Sequence, residues 1–246
     1  MKKIIKIIKK LIDIPTRMQV KPKSYPENSK PAFTLAEVLI TLGIIGVVAA
    51  ITIPNLMTAF AKHRVETQLV KFYSTMNQAI RMSVAENDTP EGWFSGNSYT
   101  YDETVEFLQT YILPYIKVSN YENCTLAFRS RHSNSVCMTN VDGTYWGFYV
   151  NGGQGLCIFY YIDGDNTNNT PKNRFNFQLA LISEDSGTDI NSKNFVEPFT
   201  YNWDGTTRED LKTDSGFGCN KEIANPGYCT KLIELNSWKI PGDYPW

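Results

Sequence analysis

Hydrophobic and polar residues follow three different rhythms along this 246-residue chain, and each rhythm predicts a different element. From Val38 to Ile53 only Thr41, Gly43, Gly46 and Thr52 interrupt the apolar residues, and no charge appears before Lys62. An uncharged run of that length crosses about 30 Å of hydrocarbon as a helix. A buried core helix is typically shorter and one-sided. Past Pro54 the rhythm changes. Leu56, Phe60, Val65, Leu69, Phe72, Met76 and Ile80 recur mostly every three or four positions, with Lys62, Arg64, Glu66 and Lys71 between them. That spacing is one amphipathic stripe. Residues 34–86 therefore read as a single helix, apolar all round in its first half and one-sided in its second. At about 1.5 Å per residue it would be roughly 80 Å long, with Pro54 kinking or loosening it.

The turn residues Asp88-Thr89-Pro90-Glu91-Gly92 end the stripe. Residues 101–118 place Val105, Leu108, Tyr111 and Ile112 at helical spacing and predict a short helix closed near Pro114. From about residue 125 the third rhythm takes over. Short aromatic and β-branched runs ("TLAFRS", "SVCMTN", "TYWGFYVN", "GLCIFYYI", "RFNFQLALI") alternate with Asn, Gly and Asp turns, and "NGGQG" at 151–155 is a hairpin signal. The predicted class is α+β, a long N-terminal helix whose one-sided half packs on an antiparallel β-sheet.

Charge adds a direction to this layout. Residues 1–32 carry nine Lys or Arg against Asp13 and Glu27, a net of +7, and the remaining chain carries a net of −8. A basic head before an apolar span marks insertion with the N-terminus in the cytoplasm. The acidic body argues against nucleic acid as a ligand, because phosphate binding needs clustered Lys and Arg. A cleaved secretory signal would have a shorter apolar core followed by a small-residue site, and none stands out here. One carboxylate, Glu37, sits at the leading end of the run, where mid-membrane charge costs roughly 2.5–3.5 kcal/mol on insertion scales. Either it snorkels to the interface or it has a partner. Gly43 and Gly46 allow close helix approach or are simply tolerated in lipid.

The stretch Ala32-Phe33-Thr34-Leu35-Ala36-Glu37-Val38-Leu39-Ile40, behind a basic leader and ahead of the apolar helix with its proline, resembles the start of a class III prepilin. That family comprises type IV pilins and the pseudopilins of type II secretion systems. The resemblance implies cleavage by a prepilin peptidase between Ala32 and Phe33, methylation of the Phe33 amine, and Glu37 as fifth residue of the mature chain. The usual residue before the cut is Gly, and here it is Ala32. In the family that Glu pairs with the freed amine of a neighbouring subunit, which lowers the cost of burying both charges and sets the stagger. Glu37 would then be satisfied in the filament and poorly satisfied in a lone subunit. The implied organisation is a removed basic leader (1–32), a transmembrane and filament-core helix (33–61), its amphipathic continuation (62–87) and an exported α+β head (88–246). Its implied partners are the peptidase, other pilin or pseudopilin subunits and the cytoplasmic membrane. The size of the body leans towards a minor subunit. The alternative is a single-pass anchored binding module that never polymerises.

Five cysteines lie outside the span, and an exported body permits disulfides. Cys219 and Cys229 bracket the turn Asn225-Pro226-Gly227 and are the favoured pair, with Cys124–Cys137 second and Cys157 a buried free thiol. With two His and no C-x-x-C, zinc is not expected. "DGDNTNNTPKN" sets oxygens at Asp163, Asp165, Thr167 and Asn169, an alternate spacing seen in calcium loops. Asn168 stands where an EF-hand needs Gly, and Arg174 where it needs Glu. Calcium is thus a possible cofactor, and an Asp/Asn-rich turn is the ordinary alternative. No G-x-S-x-G, H-E-x-x-H or P-loop occurs. His63, His132 and the pair Glu184/Asp185 lack supporting neighbours, so no enzyme is expected. The tail "WKIPGDYPW" (238–246) is expected to dock on the body.

Overall fold

The computed structural model describes residues 33–94, 99–128, 130–151, 155–164, 166–179 and 195–246. The expected leader with Ala32, the loop residue Asp165, the middle of the 151–155 hairpin and Glu184/Asp185 lie outside the described residues. The chain divides into two units, Met1–Ile53 and Pro54–Trp246. One helix, α1 (Leu35–Asn87), begins in the first and continues in the second. Pro54 stands inside α1 at that division and does not end it.

In the second unit α1 buries Val65, Leu69, Phe72, Met76, Ala79 and Ile80, the one-sided stripe read from the sequence. The buried face begins at Val65. Leu56 and Phe60, at the same spacing, remain exposed and extend the uncovered apolar half. The partner is a six-stranded antiparallel meander, β1 (Asn120–Phe128), β2 (Ser130–Thr139), β3 (Tyr145–Asn151), β4 (Gly155–Tyr161), β5 (Arg174–Leu179) and β6 (Val196–Pro198), each strand beside the next. Its register lines up Val136, Phe148, Ile158, Phe177 and Pro198 in one row, and Met138, Trp146, Tyr160 and Phe175 in another. Side chains of one register row share a face of the pleat. Phe72 anchors the helix on the sheet, its ring 4.5 Å from Tyr160, 4.7 Å from Phe177 and 5.0 Å from Trp146.

The row Cys137, Gly147, Phe159, Asn176 is also buried. The β1–β2 register shifts between Cys124 and Leu126, and Leu126 lies directly on Gly147. A Cβ at Gly147 would meet Leu126 Cδ2 at 2.7 Å, so that close approach requires glycine. Beyond Leu126, the carbonyl of Ala127 accepts from Arg174 Nη1 at 2.7 Å. The same buried guanidinium donates to Asn169 Oδ1, Asn176 Oδ1 and Asn225 Oδ1. Strand β1, the β4–β5 connection and the C-terminal region thus meet on one cation held by amide oxygens.

Thr100 caps the second helix, α2 (Tyr101–Tyr111), in a capping box with Glu103, and a 3-10 turn at Leu113–Tyr115 closes it beside Pro114. The C-terminal region adds α3 (Asp210–Thr213) and α4 (Cys229–Leu235). From there the tail returns to α1. Trp238 packs 4.8 Å from Tyr73, Tyr244 is buried, and the Ile240 N–H and Lys239 Nζ both donate to Glu66 at 2.9 Å.

Strand β6 is joined to α1 by one buried side chain. Asn77 Oδ1 accepts from the N–H groups of Phe195 (2.9 Å) and Val196 (3.0 Å), and its Nδ2 donates to Val196 O (2.9 Å). Asn77→Ala strands those backbone groups, and should lower the free energy of urea unfolding by about 1–3 kcal/mol. A loss of only a few tenths would mean that β6 is held by its ladder to β5 alone. A second prediction concerns pH. Burial pushes the Glu66 carboxyl up, but the Ile240 N–H and Lys239 outweigh it and hold it below its usual 4.5. A carboxyl lowered by folding stabilises fully above its unfolded value, and that contribution is lost as pH falls through the folded one. Stability measured at pH 7 and at about pH 3 should therefore drop less in Glu66→Gln than in the parent chain.

Candidate functional site

The N-terminal half of α1 carries the features that the head does not explain. Its side chains stand uncovered from Phe33, 88% exposed, to Phe60, 65% exposed. A helix coated all round with Leu, Ile and Val leaves its backbone as the main polar material, and the helix satisfies that internally. The threonines follow suit. Thr41 donates to Val38 O at 2.9 Å, Thr52 to Val48 O at 3.0 Å and Thr58 to Pro54 O at 3.0 Å. Among the described residues nothing crowds Gly43 or Gly46, where an added Cβ would meet no atom within 4 Å. The result is an apolar cylinder that asks nothing of its surroundings along its length, suited to lipid or to other helices.

Its polar end is built differently from the sequence expectation. Glu37 was expected to be poorly satisfied in a lone subunit. Instead Thr34 and Glu37 form a reciprocal capping box. Glu37 Oε2 accepts from Thr34 N at 2.8 Å and from Thr34 Oγ1 at 2.9 Å, while Glu37 N donates to Thr34 Oγ1 at 3.2 Å. The box satisfies donors that a helix start otherwise leaves open, and places a carboxylate at the positive end of the helix dipole. Both bonds to the carboxylate fall on Oε2, and among the described residues Oε1 has no partner. Thr34 is the residue that the sequence reading passed over. Its signal was the T-x-x-E spacing of Thr34 and Glu37. Phe33, the first described residue, lies exposed ahead of the box.

The remaining candidates fall in the head. Cys219–Cys229 and Cys124–Cys137 are both disulfides, the first joining the start of α4 to the preceding loop and the second crossing between β1 and β2. Cys157 is a free cysteine and half-buried rather than fully buried as expected, because its side chain falls on the less covered face of β4. Desolvation pushes its thiol up to about 12, away from the thiolate a nucleophile needs. In the Asp/Asn-rich loop, Asp163 is exposed, with its N–H on Asn173 Oδ1 at 2.7 Å. Asn169 Oδ1 is engaged by Arg174 at 3.1 Å and by the Tyr161 hydroxyl at 3.4 Å. Thr167 is exposed. The Asn169 oxygen of this set thus serves the buried guanidinium. Among the described residues no group of three or more His, Cys, Asp or Glu gathers as a metal site. His63 is mostly exposed, 3.8 Å from Glu66, and His132 packs on Tyr149 with ring centres 4.0 Å apart.

Comparison with known proteins divides the chain near the same point as its structure. The prokaryotic N-terminal methylation motif matches residues 28–53, covering the proposed cut, Glu37 and most of the apolar run. That match, followed by the long apolar helix, identifies a class III prepilin or pilin-like protein, and fits a membrane-anchored chain. No curated protein and no solved structure matches. The profile of a family of unknown function (DUF6613) matches residues 55–246, from one residue past Pro54 through the whole head. The chain belongs to that family, DUF6613, with its head mounted on a prepilin-type N-terminal helix.

Proposed function

We propose that this protein is the precursor of a filament subunit. A prepilin peptidase cuts between Ala32 and Phe33, and Phe33 becomes the methylated N-terminus. The subunit waits in the cytoplasmic membrane with its head outside, and then enters a type IV pilus or a type II secretion pseudopilus through α1. Its role is structural rather than catalytic. The observation that carries this reading is the uncovered apolar surface of α1 from Phe33 to Phe60 behind a methylation motif. Among the described residues those side chains are exposed, a surface suited to lipid or to neighbouring helices. Exchanging one for the other changes hydrophobic energy little, since lipid tails are as apolar as leucine. The polar end then decides the packing.

Glu37 is suited to that exchange. In the single subunit Thr34 holds one carboxylate oxygen, and Oε1 stays open to accept a further donor. An amine freed at Phe33 of a neighbour would add a full opposite charge in a low-dielectric setting, which strengthens the attraction. Heterologous head-to-tail contacts whose rotation does not close into a ring propagate a helical filament.

The mass and N-terminal sequence of protein from membranes containing a prepilin peptidase test the first step, and a chain starting at methylated Phe33 is expected. Glu37→Leu tests the second. The variant should remain in the membrane and keep its head folded, while its yield in sheared filaments falls by more than roughly tenfold. A retained leader together with full tolerance of Glu37→Leu would point instead to an anchored binding module that does not polymerise.

A further inference from the structure

Three lysines from separate parts of the head converge on Trp246, two over its indole and one on its backbone oxygen. Lys62 Nζ, from α1, and Lys172 Nζ, from the β4–β5 connection, each lie 5.6 Å from the centre of the Trp246 ring. Lys221 Nζ donates to Trp246 O at 2.9 Å. Four other lysines of the head stand beside carboxylates: Lys71 by Asp142, Lys212 by Glu209 and Asp243, Lys231 by Glu234, Lys239 by Glu66; exposed Lys117, away from this group, does not. Among the described residues no Asp or Glu side chain pairs with Lys62, Lys172 or Lys221, and Lys221 is held by Trp246 O. They gather in a chain whose residues beyond 32 carry a net of −8. The indole face offsets part of the repulsion between them. An anion would offset the rest.

We propose that this surface docks on anionic phospholipid headgroups of the membrane that holds α1. The inference rests on the membrane reading of α1 and adds a lipid class and a contact face to it. Position in the chain selects lipid over other anions. Lys62 is the first charged residue after Glu37, directly behind the uncharged run Val38–Ala61. At about 1.5 Å per residue that run is slightly longer than the roughly 30 Å of hydrocarbon, so the Lys62 ammonium emerges at headgroup level. Trp246 is half-buried, with an apolar body and an N–H tip, the residue type that settles at that level. Lys172 and Lys221 are exposed beside it, and anionic leaflets attract clustered lysines within a Debye length.

The test uses the full chain in vesicles whose lipids carry bromine near the headgroup. The signal is the tryptophan quenching that Trp246→Phe removes, so the basic leader does not contribute to it. In phosphatidylglycerol-containing vesicles this signal should be at least about threefold larger than in phosphatidylcholine alone. Lys172→Glu, at an exposed position and checked for an unchanged melting point, should bring it down to the phosphatidylcholine level. Equal quenching in both lipids, or none while the chain still floats with the vesicles, overturns the headgroup site and leaves the membrane reading standing. A chain that fails to float overturns both.

Discussion

A single helix has to satisfy two surroundings, and the change between them falls within one turn. From Val38 to Ala61 α1 is uncharged and mostly exposed, whereas from Val65 it carries a buried stripe with charged flanks. Hydrophobicity alone cannot place that boundary, because Leu56 and Phe60 continue the spacing of Val65 and Leu69 and yet remain uncovered. What changes at the boundary is the polar flank. Lys62, Arg64 and Glu66 give the helix a wet side, and only then does a one-sided sheet have a reason to choose the other.

Polar residues of α1 also fix the head on the helix. Glu66 holds the returning tail, Lys71 meets Asp142 in the β2–β3 turn at 2.8 Å, and Asn77 holds the start of β6. They bind segments distant in sequence to positions more than a turn apart on the helix. A nonspecific apolar stripe would tolerate sliding by one turn. Three directional contacts at fixed intervals do not, because a slip would leave the Asn77 and Glu66 partners unpaired together. The exposed Lys71–Asp142 pair adds little energy, and its role is registry.

Much of this was legible in the sequence. The helix, its two halves and the five longer strands follow from period and turn chemistry, since each is decided within the segment itself. Strand β6 was not foreseen. It has three residues, and its place depends on Asn77, 119 positions away. Strand β5 reads as alternating, Arg174, Asn176 and Gln178 against Phe175, Phe177 and Leu179, which suggests one wet face, yet all six are buried. The polar row is covered from elsewhere and supplied with partners: Asn225 and Ala127 O for Arg174, Thr200 for Gln178. Alternation reports the chemistry of a face, and long-range packing decides whether water reaches it. The Thr34–Glu37 box is the opposite case, wholly local and readable from its spacing.

Charge along the chain gives the proposed cleavage a physical consequence beyond freeing an amine. In the proposed orientation the leader, residues 1–32, would hold its net of +7 on the cytoplasmic side, and the first charges past the span belong to Lys62 and its neighbours. While the leader is attached, drawing α1 outward means carrying that positive block through hydrocarbon. It also means working against an inside-negative potential, at roughly 2.3 kcal/mol per charge for every 100 mV. On the proposed reading the leader would act as a lock on topology, in keeping with the bias of basic residues to the cytoplasmic side. Once it is gone, the trailing end holds only the Phe33 amine and the Glu37 carboxylate, which sum to zero. Such an end crosses without electrical work and needs only a partner for each charge. Thr34 already supplies part of one, and the next subunit in a filament would supply the rest.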